Sequence, residues 1–382
     1  MDPKFLIIPD SFKDCLPADE VGESIVKGIK QVFPKSAIKV IPIADGGEGT
    51  VHSIISALGG EIIHTKVKDP LHRTIDSFYG ILPDKSTAII EMAAASGLER
   101  LTKNERNPLL TSSFGTGELI LDALNKGCKK IIIGIGGSAT NDGGVGMAMA
   151  LGLQFIDKQH NKISLGASYL NEISSIDIIK IDHRITETAI IVACDVSNKL
   201  CGAQGASVVY GPQKGATPAM VQQLDSSLKH LAALVKRDLA INIENLNGGG
   251  AAGGLGAGLT AFCGAKIKPG FESISELLNL EKEITNADII ITAEGSVDSQ
   301  TLYGKTPAGV GSLAKKYNKP LFVFTGAATE EIEKLDTLGV SSLIPITRYP
   351  VDLSTAILNA SHWLTLSAHE LCKTIMVGKS IS

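Results

Sequence analysis

The sequence is poor in aromatic residues and carries no excess of positive charge. Aromatic side chains make up 4% of its 382 residues, and 36 basic against 40 acidic residues leave a formal net charge of -4. Surfaces that bind nucleic acid need basic clusters for the phosphates and aromatic rings for the bases. The composition therefore argues against a nucleic-acid partner.

Metal-binding spacings and long apolar runs are also absent. The six cysteines show no CxxC spacing, and the eight histidines form no HExxH motif, so we expect no zinc site and reduced cysteines. No stretch is typical of a signal peptide, and the longest uncharged stretch of small residues, 248–265, is too rich in glycine for a membrane helix. These absences predict a cytoplasmic protein with no membrane partner.

Glycine, by contrast, is abundant, with 40 residues, and six of them lie in the segment IIIGIGGSATNDGGVGM at 131–147. The three isoleucines predict a short buried strand. Glycines after a strand let backbone N–H groups approach a phosphate closely. The alternative is a tight turn with packing glycines. The predicted phosphate contacts of this loop are Gly136, Gly137, Ser138, Asn141, Asp142 and Gly143.

The pattern of apolar runs predicts an α/β fold with parallel strands. Strands at 5–8 and 38–43 alternate with helices, and the same alternation returns after residue 288. The two ends therefore predict one discontinuous domain, 1–68 plus 284–382, with a second α/β domain, 69–283, inserted. The inserted part is expected to hold a long helix after Thr217 and strands near Ala88, Ile131, Ile190 and Val208. A linear split near residue 150 is the alternative.

Several polar side chains follow predicted strands or precede helices. Ser11 and Lys13 follow the first strand, and Asp195 follows the strand AIIVA. Ligands of parallel sheets gather at these carboxyl ends. Asp45 lies in the segment ADGGEGT before a helix, where a carboxylate suits Mg²⁺ or a substrate hydroxyl. Helix or turn capping is the alternative for Asp45 and Asp195.

Three basic residues are candidates for anion binding. Lys214 lies in the turn GPQKGA, and Lys305 lies in SQTLYGKT, which ends like a Walker A loop but has Ser299 in place of its first glycine. The segment is therefore not a P-loop, and Lys305 is equally well explained as a solvated loop lysine. Arg73 in DPLHR suits bidentate binding of a carboxylate.

A dinucleotide-binding fingerprint is only partly present. Gly134, Gly136 and Ala139 fit G-x-G-x-x-A after a strand. The helix that should begin inside this fingerprint is interrupted by the residues Asn-Asp-Gly-Gly at 141–144. A nicotinamide-dependent oxidoreductase acting on a small hydroxy acid thus stays an alternative, as does a non-catalytic protein that binds sugar acids.

Nine segments in order make the sequence similar to the bacterial type I glycerate kinases. They lie at 9–18, 42–50, 91–98, 111–120, 134–147, 193–206, 212–216, 248–259 and 294–310. The resemblance implies phosphorylation of D-glycerate by ATP with Mg²⁺, and it favours the 2-hydroxyl over the 3-hydroxyl as the acceptor. It also implies a flavodoxin-like domain with a second α/β domain inserted.

For such a kinase, the candidate residues divide by role. The predicted catalytic residues are Asp195, Asp45 and Lys13; Lys214 joins the loop in binding ATP phosphates; Ser11, Arg73 and Lys305 bind the substrate; Asp142 and Asp195 hold Mg²⁺. Which aspartate is the base and which is the metal ligand stays open. The oligomeric state stays open too, with a homo-oligomer as one alternative.

Overall fold

A computed structural model describes residues 2–43, 47, 49–297, 306–328 and 337–381, without the side chains of 379–381. The chain divides into two compact units. The first comprises residues 1–45, 52–58 and 271–382, and the second comprises 46–51 and 59–270. The predicted domain boundaries at 68/69 and 283/284 differ from these, because the strand at 61–68 pairs within the second unit and the helix that ends at 278 lies mostly in the first.

Strands and helices alternate along most of the described chain. The strands are β1 (Phe5–Pro9), β2 (Ile38–Val40), β3 (Glu61–Lys68), β4 (Thr74–Ile81), β5 (Thr87–Glu91), β6 (Lys130–Gly134), β7 (Gln154–Ile156), β8 (Ser175–Asp177), β9 (Ala189–Ala193), β10 (Lys266–Lys268), β11 (Ile289–Val297), β12 (Leu321–Ala328) and β13 (Ser342–Pro345).

The α-helices of the described residues vary widely in length. They are α1 (Ala18–Val32), α2 (Thr50–Leu58), α3 (Ala93–Ser96), α4 (Phe114–Asn125), α5 (Val145–Ala150), α6 (Ala206–Tyr210), α7 (Pro218–Leu239), α8 (Ala251–Cys263), α9 (Gly270–Leu278), α10 (Leu280–Asn286), α11 (Thr306–Lys316) and α12 (Leu353–Ile381). None of them combines the length and the hydropathy that a membrane span needs.

The first unit contains a parallel sheet of five strands in the order β2-β1-β11-β12-β13. Counted within this unit, the order is 2-1-3-4-5, the flavodoxin-like arrangement. The central strands are apolar runs such as FLII and LFVF, as expected for strands covered by helices on both faces. Ile7, Ile291 and Phe324 of these strands are fully buried together with Ile25 of α1 and Leu364 of α12. The predicted flavodoxin-like fold is confirmed.

The second unit contains a mixed sheet of six strands in the order β10-β9-β6-β5-β4-β3, with the antiparallel pair β7-β8 beside it. β5, β6, β9 and β10 run parallel. Glu91, Gly134 and Ala193, the last residues of β5, β6 and β9, are register partners. The loops that follow these three strands therefore leave the sheet at one edge.

The structure corrects two predicted strands. The run at 206–210, where a strand was expected near Val208, forms the helix α6, because Ala206 N–H donates to Leu200 O (3.1 Å) and the Tyr210 hydroxyl donates to Asn198 Oδ1 (2.7 Å). These contacts override the strand preference of β-branched residues. The second strand ends at Val40, not at residue 43.

Candidate active site

The carboxyl edge of the second unit's sheet carries most of the predicted phosphate contacts. Gly136 and Gly137 lie in an exposed turn directly after β6, with Gly137 in the left-handed region (φ +70°). The turn is held on one side because Leu98 N–H donates to Gly137 O (2.8 Å) and Ala139 N–H donates to Ser96 O (3.0 Å). Among the described residues, no protein acceptor receives the N–H groups of Gly136 and Gly137. Two exposed backbone donors at a strand end are suited to an anion.

Lys214 lies beneath this turn and is 1% exposed. Its Nζ donates to Ser138 Oγ (2.6 Å) and to Thr140 O (2.6 Å). Burial lowers the pKa of Lys214 to about 7, and the nearby Asp142 carboxylate opposes that shift. The sequence predicted a phosphate contact here, but the bonds that this lysine makes are to the loop itself.

Asp142 is buried and surrounded by donors. Its Oδ2 accepts bonds from Ser113 N–H (2.8 Å), the Ser113 hydroxyl (2.9 Å) and Gly146 N–H (3.2 Å), and its Oδ1 accepts one from Gly144 N–H (3.1 Å). A carboxylate occupied in this way orders the loop rather than offering free oxygens to a cation or to ATP. The geometry therefore does not support the predicted magnesium and phosphate roles of Asp142.

Asn141 and Gly143 also face the protein interior. The Asn141 side chain is fully buried, and its Nδ2 donates to Ser207 Oγ (3.0 Å). Gly143 has φ +63°, and a Cβ there would overlap Leu231. Both residues therefore shape the loop from within, and Ser138, 7% exposed, is the only other predicted loop contact that adjoins the exposed turn.

A second glycine-rich segment packs against this loop. Gly253 and Gly254, near the start of α8, have φ of +67° and +92° instead of helical values. A Cβ on Gly253 would overlap Thr140 O, and Gly143 N–H donates to Gly253 O (3.1 Å). Sequence reasoning noted these glycines only as part of the family resemblance. Their role as a seat for the loop depends on a contact between distant segments.

Asp195 follows β9 at the same sheet edge and is exposed. Its Oδ1 accepts a bond from Gly270 N–H (2.7 Å). Of the two predicted catalytic aspartates, it is the one that the structure describes, since Asp45 lies outside the described residues. Its exposed carboxylate follows the strand that neighbours β6, at the same sheet edge as the glycine turn.

Sequence reasoning missed the role of Glu91, which ends β5 at this edge and is buried. Its Oε1 accepts a bond from Val51 N–H (2.6 Å) and its Oε2 accepts one from Gly49 N–H (3.3 Å). The carboxylate thus caps the start of α2, where helix N–H groups lack partners. An acidic residue that ends the apolar strand TAIIE was the available signal.

In the first unit, the candidate residues lie where the strand order reverses between β1 and β11, the usual ligand position in such sheets. Asp10 Oδ1 accepts a bond from Ser11 N–H (2.7 Å), and its Oδ2 accepts one from the Thr306 hydroxyl (2.8 Å). Ser11 is half-buried and Lys13 is exposed at this edge. Lys305 lies outside the described residues.

Arg73 is already engaged with protein oxygens. Its Nε donates to Asp69 Oδ2 (2.5 Å), one terminal nitrogen donates to Glu105 Oε1 (2.6 Å) and the other donates to Arg100 O (3.4 Å). Hydrogen bonds to Asp69 and Glu105 raise the pKa of Arg73. With its donors used in this way, Arg73 links three loop segments, and the geometry does not support the predicted substrate clamp.

Within the described ranges, no three His, Cys, Asp or Glu residues cluster closely enough to form a metal site by themselves. This does not decide the magnesium prediction, because Mg²⁺ in nucleotide sites uses one or two carboxylates together with phosphate oxygens and water. Asp195 is the described carboxylate whose position suits such a site.

Comparison with known proteins identifies the family. A family model described as the glycerate kinase family matches residues 5–376. The glycerate 2-kinase of Escherichia coli K12 is 44% identical over 375 residues, 98% of each chain, and a glycerate kinase of Haemophilus influenzae is 45% identical over 372 residues, 97% of this chain and 98% of the other. A crystal structure assigned to glycerate kinase 2 of Salmonella typhimurium LT2 superposes with a TM-score of 0.91 at 45% identity, covering 100% of both chains. The chain belongs to the glycerate kinase family.

Proposed function

We propose that the protein is an ATP-dependent glycerate kinase that transfers a phosphoryl group to the 2-hydroxyl of D-glycerate. Family membership supports a kinase that uses ATP, and the name of the 44% identical E. coli relative, glycerate 2-kinase, supports the 2-hydroxyl. The observation that carries the proposal is the exposed turn of Gly136 and Gly137 at a strand end. Its N–H groups have no protein acceptor among the described residues, which suits a phosphate site.

The turn provides what phosphoryl transfer requires from a protein. Such reactions depend on positioning and on neutralising charge, more than on covalent chemistry. Backbone donors that are already oriented stabilise phosphate charge without reorganising during the reaction. The N–H groups of Gly136 and Gly137 and the hydroxyl of Ser138 are the proposed contacts with ATP.

Asp195 is the proposed acid–base or magnesium-binding residue. It is exposed beside the phosphate turn, and its hydrogen bond to Gly270 N–H fixes one carboxylate oxygen. Mg²⁺, when bound with ATP, would neutralise phosphate charge and orient the nucleotide. Asp45 stays the alternative holder of the base or metal role.

Ser11 and Lys13 are the proposed contacts of the glycerate carboxylate in the first unit. They follow β1 at the switch point of the flavodoxin-like sheet, and the exposed Lys13 ammonium offers a positive charge. Lys305 is retained as a further basic candidate for this role on sequence grounds.

The two alternative functions have less support. The helix α5 begins only at Val145, after the whole loop, whereas a dinucleotide fingerprint needs a helix that starts inside it. A non-catalytic binding protein is disfavoured by full-length similarity to relatives named as kinases.

The test is ³¹P NMR of the product made from D-glycerate, ATP and Mg²⁺. Phosphate on the 2-hydroxyl is coupled to one proton and gives a doublet, whereas phosphate on the 3-hydroxyl is coupled to two and gives a triplet. A doublet supports the proposal and a triplet corrects its regiochemistry. Absence of ATP consumption, with NAD(H) turnover measured in parallel, would contradict it.

A further inference from the structure

Lys214 is an unusual lysine because it is buried and neither of its two hydrogen bonds goes to a carboxylate, although that of Asp142 lies nearby. Lysine is almost never fully buried unless it is paired, since burial disfavours the ammonium form. Here the side chain is 1% exposed, and its two hydrogen bonds go to the uncharged Ser138 Oγ and Thr140 O. A lysine kept in surroundings that disfavour its charged form points to a role beyond packing.

Both acceptors lie just after the exposed glycine turn. Ser138 and Thr140 follow Gly137 directly, whereas the other side of the turn is continuous with β6. Two bonds of 2.6 Å from one ammonium therefore fix the chain on the side that β6 does not hold. Without them, the Ser138–Thr140 segment would keep the bond from Ala139 N–H to Ser96 O, the bond from the Thr111 hydroxyl to Ala139 O (2.9 Å) and its packing against Gly253.

Lys214 is itself anchored in a separate segment. It ends a short 3-10 helix, Pro212–Lys214, and its N–H donates to Gly211 O (3.0 Å). The next residue, Gly215, has φ +91°, and a Cβ there would overlap Arg106 O. The lysine therefore reaches the loop from a backbone whose conformation is set independently of it.

We infer that Lys214 is a positioning residue for the ATP phosphates: it holds the loop from beneath, so that the Gly136 and Gly137 N–H groups face the same anion. This inference rests on the proposed function. Because its own donors go to the loop, Lys214 acts through the turn and does not contact the nucleotide. When it is protonated, the ammonium also places positive charge on the inner side of the turn, which favours a bound phosphate.

The test compares Lys214→Met, which keeps the length and the apolar stem, with Lys214→Arg, which keeps donors and charge. For Lys214→Met we expect KM for ATP to rise about tenfold, the scale of a lost hydrogen bond to a charged group. KM for glycerate should stay within about twofold, and Lys214→Arg should recover part of the loss. Lys129→Met is the matched control. Lys129 lies directly before the first residue of β6, at the end of the strand away from the glycine turn, and pairs with Glu187 at the surface.

Hydrogen exchange of residues 135–142 in the nucleotide-free protein gives a readout that does not depend on turnover. Faster exchange there in Lys214→Met, but not in Lys129→Met, supports the inference. Should Lys214→Met fail to fold, Ser138→Ala removes one acceptor of the ammonium. Faster exchange at residues 135–142 is then the deciding readout, because Ser138 is itself a proposed contact of ATP and its loss would change KM directly. The inference would be overturned if folded Lys214→Met kept the parent's KM for ATP and the parent's exchange at residues 135–142. If Lys214→Met does not fold, parent exchange in Ser138→Ala would overturn it. A parent protein that does not phosphorylate glycerate would instead overturn the proposed function, and loop exchange would still decide the role of Lys214.

Discussion

Ser113 donates two hydrogen bonds to one oxygen of Asp142, from its backbone N–H (2.8 Å) and from its hydroxyl (2.9 Å). The same hydroxyl accepts a bond from Met147 N–H (3.0 Å). The start of α4 and the start of α5 are thereby tied to the middle of the glycine loop. This relationship distinguishes a structural carboxylate from a catalytic one.

Asp142→Asn is therefore expected to destabilise the protein. The substitution removes a buried charge that accepts four bonds and turns one acceptor into a donor that faces N–H groups. A loss of about 2–4 kcal/mol in the free energy of unfolding is expected, as for broken networks of charged hydrogen bonds. Urea unfolding measures it.

Asp157→Asn is the matched control for this change, because Asp157 also accepts backbone N–H groups, from Gln159 and Asn161, but in an exposed turn. Its effect should be within about 0.5 kcal/mol. An Asp142→Asn protein with parent stability and a changed magnesium requirement would restore the metal role that the geometry does not support.

Gly253 tests whether the second glycine-rich segment seats the loop. Gly253→Ala brings a Cβ into Thr140 O at φ +67°, whereas Gly264→Ala places a Cβ in open space at the similar φ of +64°. The second substitution costs only the backbone strain, about 1 kcal/mol. Gly253→Ala adds the steric overlap. We therefore expect it to lower the free energy of unfolding by about 2 kcal/mol more than Gly264→Ala does, and to raise KM for ATP.

Thermal or urea unfolding of both glycine variants, with ATP kinetics, checks this expectation. Equal destabilisation by the two alanines would mean that the loop shifts freely, and the segment would then have no seating role.

Asp195→Asn tests the proposed catalytic carboxylate. Since Asp195 is exposed, the fold should survive, while kcat should fall by about 10² or more if a positioned base is lost. Steady-state kinetics with D-glycerate and ATP measures it. Asp177→Asn is the control, because Asp177 Oδ1 also accepts a backbone N–H bond, from Ile179 (2.9 Å). A kcat within about threefold of the parent would remove Asp195 from the mechanism.

Lys214 gives the stability of the protein a defined dependence on pH. Burial lowers its pKa from 10.5 in the unfolded chain to about 7 in the folded one. Between these values the unfolded chain binds more protons, so stability rises with pH through this window and the penalty is complete below about pH 7.

The measurement is the free energy of unfolding of the parent and of Lys214→Met at about pH 6, below this window, and at about pH 9, inside it. The parent should gain stability relative to the variant at the higher pH. A constant difference between the two proteins would show that Lys214 keeps an ordinary pKa.

The amino-acid sequence by itself determined the secondary structure around the site. The apolar run IIIG predicted β6, and the glycines after it predicted a loop, in which Gly137 and Gly143 adopt positive φ. Such signals are local, because side-chain burial along a strand and backbone freedom at glycine depend on neighbouring residues. The nine ordered motifs likewise sufficed for the family, which the comparisons confirmed.

Only the tertiary structure decided which polar residues of the loop face outward. Sequence reasoning treated Gly136, Asn141, Asp142 and Lys214 alike as phosphate contacts, yet only the glycine turn is exposed. The others turn inward because their hydrogen-bond partners come from distant segments, as Ser113 does for Asp142. The direction of a polar side chain follows from the partners that the fold brings to it, and no local pattern contains that information.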